Sequence, residues 1–218
     1  MMILFFGPDG AGKTTLARML KRYLMKQGKY KVKVSWIRGT HTLALIIASF
    51  FSKFNSMKGV DNPYFGIKIK RRDRIWQFIE FISLLPRILI EYYIPHKIGY
   101  VVVGERSPID SLVWIIATTR DSQFLKTIYG KFLLGISNSA NKLVFVTAKQ
   151  DILVERRMSE GINTTFIETQ VFLYEKIYKI LSEGGLRAKV YRLDTSDKNV
   201  YDSFTEVLST VYGMRWDL

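Results

Sequence analysis

The chain has 218 residues, 48% hydrophobic and 24% charged, which is enough for a full buried core and argues against extended disorder. Its 33 Lys and Arg against 19 Asp and Glu give a net charge of +14, which suits polyanions such as nucleotides and would also attract nucleic acid or an anionic membrane non-specifically. With no cysteine and only His41 and His96, disulfides, thiol catalysis and a histidine-rich metal centre are excluded.

The first run, MMILFF, reads as a strand, and its apolar residues are consumed there rather than in a basic-led signal peptide, so a cytoplasmic protein is expected. Next come Gly7, Pro8, Asp9, Gly10, Ala11, Gly12, Lys13, Thr14 and Thr15. Of these, Gly7, Gly12, Lys13 and Thr14 complete the G-x-x-x-x-G-K-[ST] phosphate-binding pattern. Glycines let the chain fold around an anion with successive N–H groups pointing inward. Lys13 can reach β- and γ-phosphates of a triphosphate, and the Thr14 hydroxyl can hold Mg²⁺. Leu16, Met19, Leu20 and Tyr23 then share one face of a helix, whose positive end adds to the anion site.

Lys31 to Ile37 alternates as a strand and ends at Arg38-Gly39. Thr42 to about Phe54 reads as a helix, and Asn55 to Phe65 as a loop because of Gly59 and Asn62-Pro63. A cationic knot, Lys68 to Arg74, opens a long helical pattern that Pro95 and Gly99 break after about Ile94. Neither apolar helix suits a membrane. Thr42 to Phe51 is too short to span, and Phe78 to Ile94 contains Glu80, Pro86, Arg87 and Glu91.

Tyr100 to Arg106 reads as a central parallel strand. Helices follow from Pro108 and over Phe124 to Leu134, then a strand at Lys142 to Val146. Asp151 to Met158 is helical, Ser159 to Thr165 a loop, and Phe166 to Leu181 a helix. Lys189 to Leu193 is the last strand and Val200 to Tyr212 the last helix. This alternation specifies an α/β fold with a mainly parallel five-stranded sheet, read as a single domain over residues 1–218. Ligands in such sheets bind at the carboxyl ends of the strands, which makes Asp9, Lys13, Arg38, Glu105 and Arg106 site candidates. Arginine forks at Arg38, Arg87 and Arg106 could clamp an acceptor phosphate.

Over most of its length the chain resembles the thymidylate kinase branch of the P-loop nucleoside monophosphate kinases. The resemblance is carried by Asp9-Gly10 in the phosphate loop, Arg38 after the second strand, Glu105-Arg106 at the third, Arg156 after the fourth, and the helix from Phe166. It implies the three-layer P-loop NTPase fold with sheet order 2-3-1-4-5 and a short lid over residues 156–165. It also implies ATP as donor, Mg²⁺, and a nucleoside monophosphate acceptor with dTMP first. Asp9 would touch the acceptor sugar, Glu105 would organise the metal with Thr14, and Arg156, alone or with Arg157, would close over the bridging and transferred phosphates, making Lys13, Arg106 and Arg156 the catalytic candidates.

The sequence departs from that family in several places. Gly39-Thr40 stands for the usual Glu-Pro, Ser107 and Asp110 follow the Glu-Arg step, Ile115 replaces the thymine-reading glutamine, and the lid has no arginine after Arg157. Two alternatives therefore stay open. One is a P-loop kinase acting on another small metabolite or a nucleic-acid 5′ end. The other is a nucleotide-binding regulatory or nucleic-acid-associated protein with weak hydrolysis. The apolar helix from Phe78 fits either a homodimer contact or the core.

Overall fold

The computed structural model describes residues 1–37, 40–62, 65–157, 164–184 and 189–212. Five strands form one parallel sheet: β1 (Met2–Phe6), β2 (Val32–Ser35), β4 (Val101–Gly104), β5 (Lys142–Thr147) and β6 (Lys189–Asp194). Their spatial order is β2-β4-β1-β5-β6. A short strand, β3 (Lys58–Asn62), lies outside the sheet, so the sheet strands alone run 2-3-1-4-5, as the resemblance implies.

Strand β1 is central and buried on both faces, which is why its sequence is a continuous apolar run rather than an alternating one. Met2, Leu4 and Phe6 enter one core with α3 (Arg74–Ile88), α5 (Pro108–Thr119), α6 (Ile128–Asn138) and α8 (Thr164–Glu183). Ile3 and Phe5 enter the other, with α1 (Lys13–Lys26), α7 (Gln150–Arg157) and α9 (Val200–Tyr212). A sheet covered by helices on both faces is the three-layer arrangement, and it directs the strand ends towards one edge of the molecule.

Three expectations are corrected. The segment after α2 (Thr42–Phe51) is not a plain loop: a 3₁₀ turn (Asn55–Met57) leads into β3, which folds back on Ile67 in a small antiparallel arm. The Gly59 N–H bonds to the Gly66 carbonyl at 2.9 Å, and the Lys68 N–H to the Met57 carbonyl at 2.7 Å.

The long helix also does not stop before Pro95. It widens to a π turn over Leu89–Tyr93 and continues as α4 (Ile94–Lys97). Pro95 has no N–H to give the preceding turn. The carbonyls left over are taken up from β2, where the Ser35 hydroxyl donates to the Glu91 carbonyl and Lys33 Nζ to that of Ile90. Finally, the expected helix from Phe124 is a 3₁₀ turn (Ser122–Lys126) followed by α6. Thr127 separates them, its hydroxyl accepting from the Gly130 N–H at 3.2 Å.

Among the described residues no helix is long and apolar enough to cross a membrane.

Candidate active site

The turn between β1 and α1 is shaped by its glycines. Gly7 has φ +140°, and a Cβ there would lie 2.0 Å from the Val146 carbonyl oxygen, so the loop can sit against β5 only without a side chain. Gly12 has φ +92° and caps α1 with no side-chain hydrogen bond, and the first turn of α1 carries no acidic residue. The leading N–H groups of α1 are therefore left for an anion. Thr14 and Thr15 are exposed in that turn. Thr195, after β6, braces the loop: its hydroxyl reaches the Ala11 carbonyl at 3.2 Å and that of Thr147 at 3.1 Å.

Lys13 is 5% exposed, and its ammonium donates to the carbonyls of Gly7 at 2.5 Å and Pro8 at 2.7 Å. Asp9 lies 3.7 Å from the same nitrogen. Burial, reinforced by the Arg106 charge, lowers the Lys13 pKa to about 8. The Asp9 carboxylate is the hub of the site, ion-paired through one oxygen to Arg106 and through the other to Arg157 Nη2 at 3.5 Å. Burial alone would raise the Asp9 pKa, but Arg106, Lys13 and Arg157 outweigh it and hold the carboxyl well below the usual range.

Two further groups fix these arginines. Arg106 Nη1 is 3.9 Å from Asp110 Oδ1, and its backbone carbonyl accepts from the Tyr92 hydroxyl at 2.6 Å. Asp110 is itself tied down, accepting from the Ser107 N–H at 2.7 Å and the Tyr174 hydroxyl at 2.9 Å. Burial nonetheless raises its pKa, against the pull of Lys13 and Arg106. Arg157 is 1% exposed and donates to Gln170 Oε1 at 3.3 Å. In this buried group Lys13, Arg106 and Arg157 face Asp9 and Asp110.

The remaining candidates fall around this centre or away from it. Arg156 is exposed and donates to the Gly10 carbonyl at 2.9 Å, beside a hollow of about 230 Å³ that Gly12, Thr15, Thr195 and Lys198 also line. Glu105, past the end of β4, is buried and 3.4 Å from Arg18 Nε. Arg18 is one turn beyond Thr14 on α1, so Glu105 reaches the face of the helix that carries the Thr14 hydroxyl.

One hydroxyl and one carboxylate suit Mg²⁺, which keeps oxygen ligands and takes few from protein when phosphates supply the others. Among the described residues no cluster of three or more His, Asp or Glu could hold a metal by itself. Arg38 and residues 158–163 of the expected lid lie outside the described residues, and Thr164 and Thr165 begin α8.

Arg87 is not joined to the Asp9 group. It donates to the Trp36 carbonyl at 3.3 Å and pairs with Glu91 at 3.5 Å, at the carboxyl end of β2. Arg74 pairs with Asp121 at 3.4 Å, and Ile115 is fully buried in the core.

Sequence reasoning gave no site role to Asp110, Tyr174, Gln170 or Glu80. Asp110 had a signal, because Ser107-Pro108-Ile109-Asp110 is a capping box with proline in the first turn. The others had none. Glu80 is 1% exposed on α3 and accepts from the Thr40 hydroxyl at 2.8 Å, in a polar group with Asn62 and the Trp114 indole. Burial, only partly offset by that hydroxyl, raises its pKa to about 7.

No protein-family model matches the sequence, and no curated protein matches it. Solved structures do. A thymidylate kinase from Candida albicans superposes with a TM-score of 0.64 at 12% identity, over 97% of this chain and 91% of that one. A deoxyadenosine kinase from M. mycoides, solved with dCTP bound, gives 0.58 at 14% identity, over 98% and 100%. A thymidylate kinase from Ehrlichia chaffeensis gives 0.57 at 14% identity, over 98% of each chain. Across nearly its whole length, then, the chain has the fold of the thymidylate kinases and of their deoxynucleoside-kinase neighbour.

Proposed function

We propose that the protein is a Mg²⁺-dependent phosphotransferase that moves the γ-phosphoryl group of ATP to a nucleoside monophosphate, with dTMP the first candidate acceptor. The observation that carries this reading is that the Asp9 carboxylate holds Lys13 of the phosphate loop and Arg106 of the neighbouring strand end on one side chain. A donor-side cation and an acceptor-side cation are thereby fixed next to each other. Phosphoryl transfer needs two anions held in line and donors placed where charge spreads in the transition state.

In this scheme Gly7 to Thr14 bind the triphosphate through backbone N–H groups, and Thr14 with Glu105 would hold Mg²⁺, whose charge neutralises the phosphates. Arg106, with Arg38, clamps the acceptor phosphate, and Arg87 extends that side. An acceptor oxygen attacks the γ-phosphorus as its bond to the bridging oxygen breaks, the bonding electrons leaving with the diphosphate. Lys13 and Arg156 stabilise the charge on the transferred group. Asp9 and Asp110 set the positions of Lys13, Arg106 and Arg157, and an acceptor sugar hydroxyl would be a further partner of Asp9. Closure of the lid residues over both substrates would exclude water.

The test is a coupled assay of ADP formation with identification of the product, across dTMP, dUMP, UMP, CMP, AMP and GMP. A diphosphate product, lost at least about a hundredfold in Lys13→Met, is the expected result. ATP hydrolysis with no diphosphate from any acceptor would remove the kinase reading. Likeness to a deoxyadenosine kinase over 98% of this chain favours one second reading, transfer to a nucleoside hydroxyl. Adding deoxyadenosine, deoxycytidine and thymidine to the panel decides between the two.

A further inference from the structure

Helix α2 is built inside out. Its small residues Ala44 and Ala48 are fully buried, and the Ala44 N–H donates to Ser83 Oγ of α3 at 2.9 Å. Ile47 and Phe51 pack partly buried beside them, but most of its large residues point the other way: Leu43, Leu45, Ile46, Phe50 and, just past the end, Phe54 are 44 to 67% exposed. The apolar surface runs on to α3, where Ile46, Phe50, Ile75 and Ile79 line a hollow of about 580 Å³. Scattered exposed apolar side chains are ordinary, but a contiguous patch of this kind marks a contact surface.

The patch has a cationic rim. A second hollow shares Phe51, Asp73 and Trp76 with the first and is walled by Lys68, Lys70 and Arg71. Lys53, Lys58, Lys68, Lys70, Arg71 and Arg72 are all exposed. Among the described residues none of the six forms an ion pair, and no acidic residue occurs between Arg38 and Val60. The nearby carboxylates are already engaged: Asp61 accepts from the Ile69 N–H and pairs with Arg120, and Asp73 caps α3 through the Trp76 N–H.

This combination selects among partners. A symmetric contact between two copies would set the cationic rim against itself, because a two-fold axis brings the same patch together. Nucleic acid would explain the cations and could stack on Phe50 and Phe54, but Leu43, Leu45, Ile46 and Ile75 make up most of the exposed apolar face and offer bases nothing to stack on. A bilayer with anionic headgroups meets both demands, taking the apolar residues at the acyl boundary and the cations at the phosphates. Ten helical residues cover about 15 Å, half of a hydrocarbon core, so such a helix lies on the surface and does not span.

We propose that the α2 face docks on an anionic lipid surface, with Ile46 and Phe50 in the interface and Lys68, Lys70, Arg71 and Arg72 against the headgroups. This goes beyond the phosphotransferase reading and does not depend on it.

The test is co-sedimentation of the full chain with vesicles of phosphatidylcholine alone and of phosphatidylcholine with about one third phosphatidylglycerol. Each cation near an anionic surface is worth about fivefold in partitioning. Binding to the anionic vesicles should exceed binding to the neutral ones at least about 20-fold and weaken with salt. Ile46→Glu with Phe50→Glu should lower it at least about tenfold, and so should Lys70→Glu with Arg71→Glu. Both variants should keep the thermal unfolding and the lipid-free ATP turnover of the parent.

Three kinds of result would overturn the proposal. The first is no lipid-dependent sedimentation. The second is unchanged binding by the Ile46/Phe50 variant, which would mean charge adhesion alone. The third is a parent dimer that this variant makes monomeric, or a single-stranded oligonucleotide held as tightly with the same dependence on Phe50, which would assign the face to protein or nucleic acid.

Discussion

Arg106 has two carboxylates to satisfy, and that sets what its removal would do. Arg106→Ala takes a guanidinium from both Asp9 and Asp110, but Lys13 and Arg157 stay on Asp9 and Tyr174 on Asp110, so about 1.5 to 3 kcal/mol of stability should go with the activity. Arg106→Lys keeps a charge but not the fork, and should lower turnover at least about a hundredfold with a much smaller shift in urea midpoint. A pair of urea titrations beside steady-state kinetics separates the two effects.

Glu80 gives a pH signature. The folded protein keeps a proton on this carboxyl up to about pH 7, whereas the unfolded chain releases it near 4.5. Stability from this group is complete below the lower value and falls as pH rises through the window, by about 3 kcal/mol if nothing relaxes. Glu80→Gln should flatten that dependence and be the more stable protein above the upper value, as read from urea unfolding near pH 5 and pH 8. Lys13 and the glycines could be read from sequence because their motif encodes a backbone shape. The link of Arg157 to Asp9 and that of Tyr174 to Asp110 could not, since they form only after distant segments pack.

At the scale of elements, two joints carry the geometry of the site. The first is the close approach of the phosphate loop to β5. Gly7→Ala should cost about 2 to 5 kcal/mol and abolish ATP binding, because a methyl group would meet the Val146 carbonyl and force the strands apart. Isothermal titration with ATP and a thermal melt would show both.

The second is the contact of β2 with the proline-interrupted helix. Ser35→Ala would leave the Glu91 carbonyl without its hydroxyl partner and should destabilise the protein by about 1 to 3 kcal/mol, measured by denaturant unfolding. Helix periodicity marked this segment correctly, but a proline ends a helix only when the carbonyls it abandons find no other donor. Here the donors come from a strand more than fifty residues earlier, which no local pattern contains. The arm at β3 was missed for a similar reason, as Gly59 and Asn62 signal a turn without saying that the flanks pair.

For the whole molecule, alternating strands and helices specified an α/β fold with a mainly parallel sheet, and the family resemblance supplied the strand order. A fully buried central strand, right-handed crossovers and short connections leave few topologies open. Which apolar residues stay at the surface was less legible, because Leu43, Leu45, Ile46 and Phe50 of α2 look like core in the sequence and are exposed in the structure.

The position of β1 carries a consequence for biosynthesis. Met2 lies opposite Val102 and Ile3 opposite Lys142, so the strand at the heart of the sheet leaves the ribosome with neither neighbour yet made. At roughly 5 to 20 residues per second the wait for the first of them is on the order of 5 to 20 s. Throughout that interval MILFF is an unpaired, uncharged apolar segment, the kind of exposed surface that makes a nascent chain prone to aggregate.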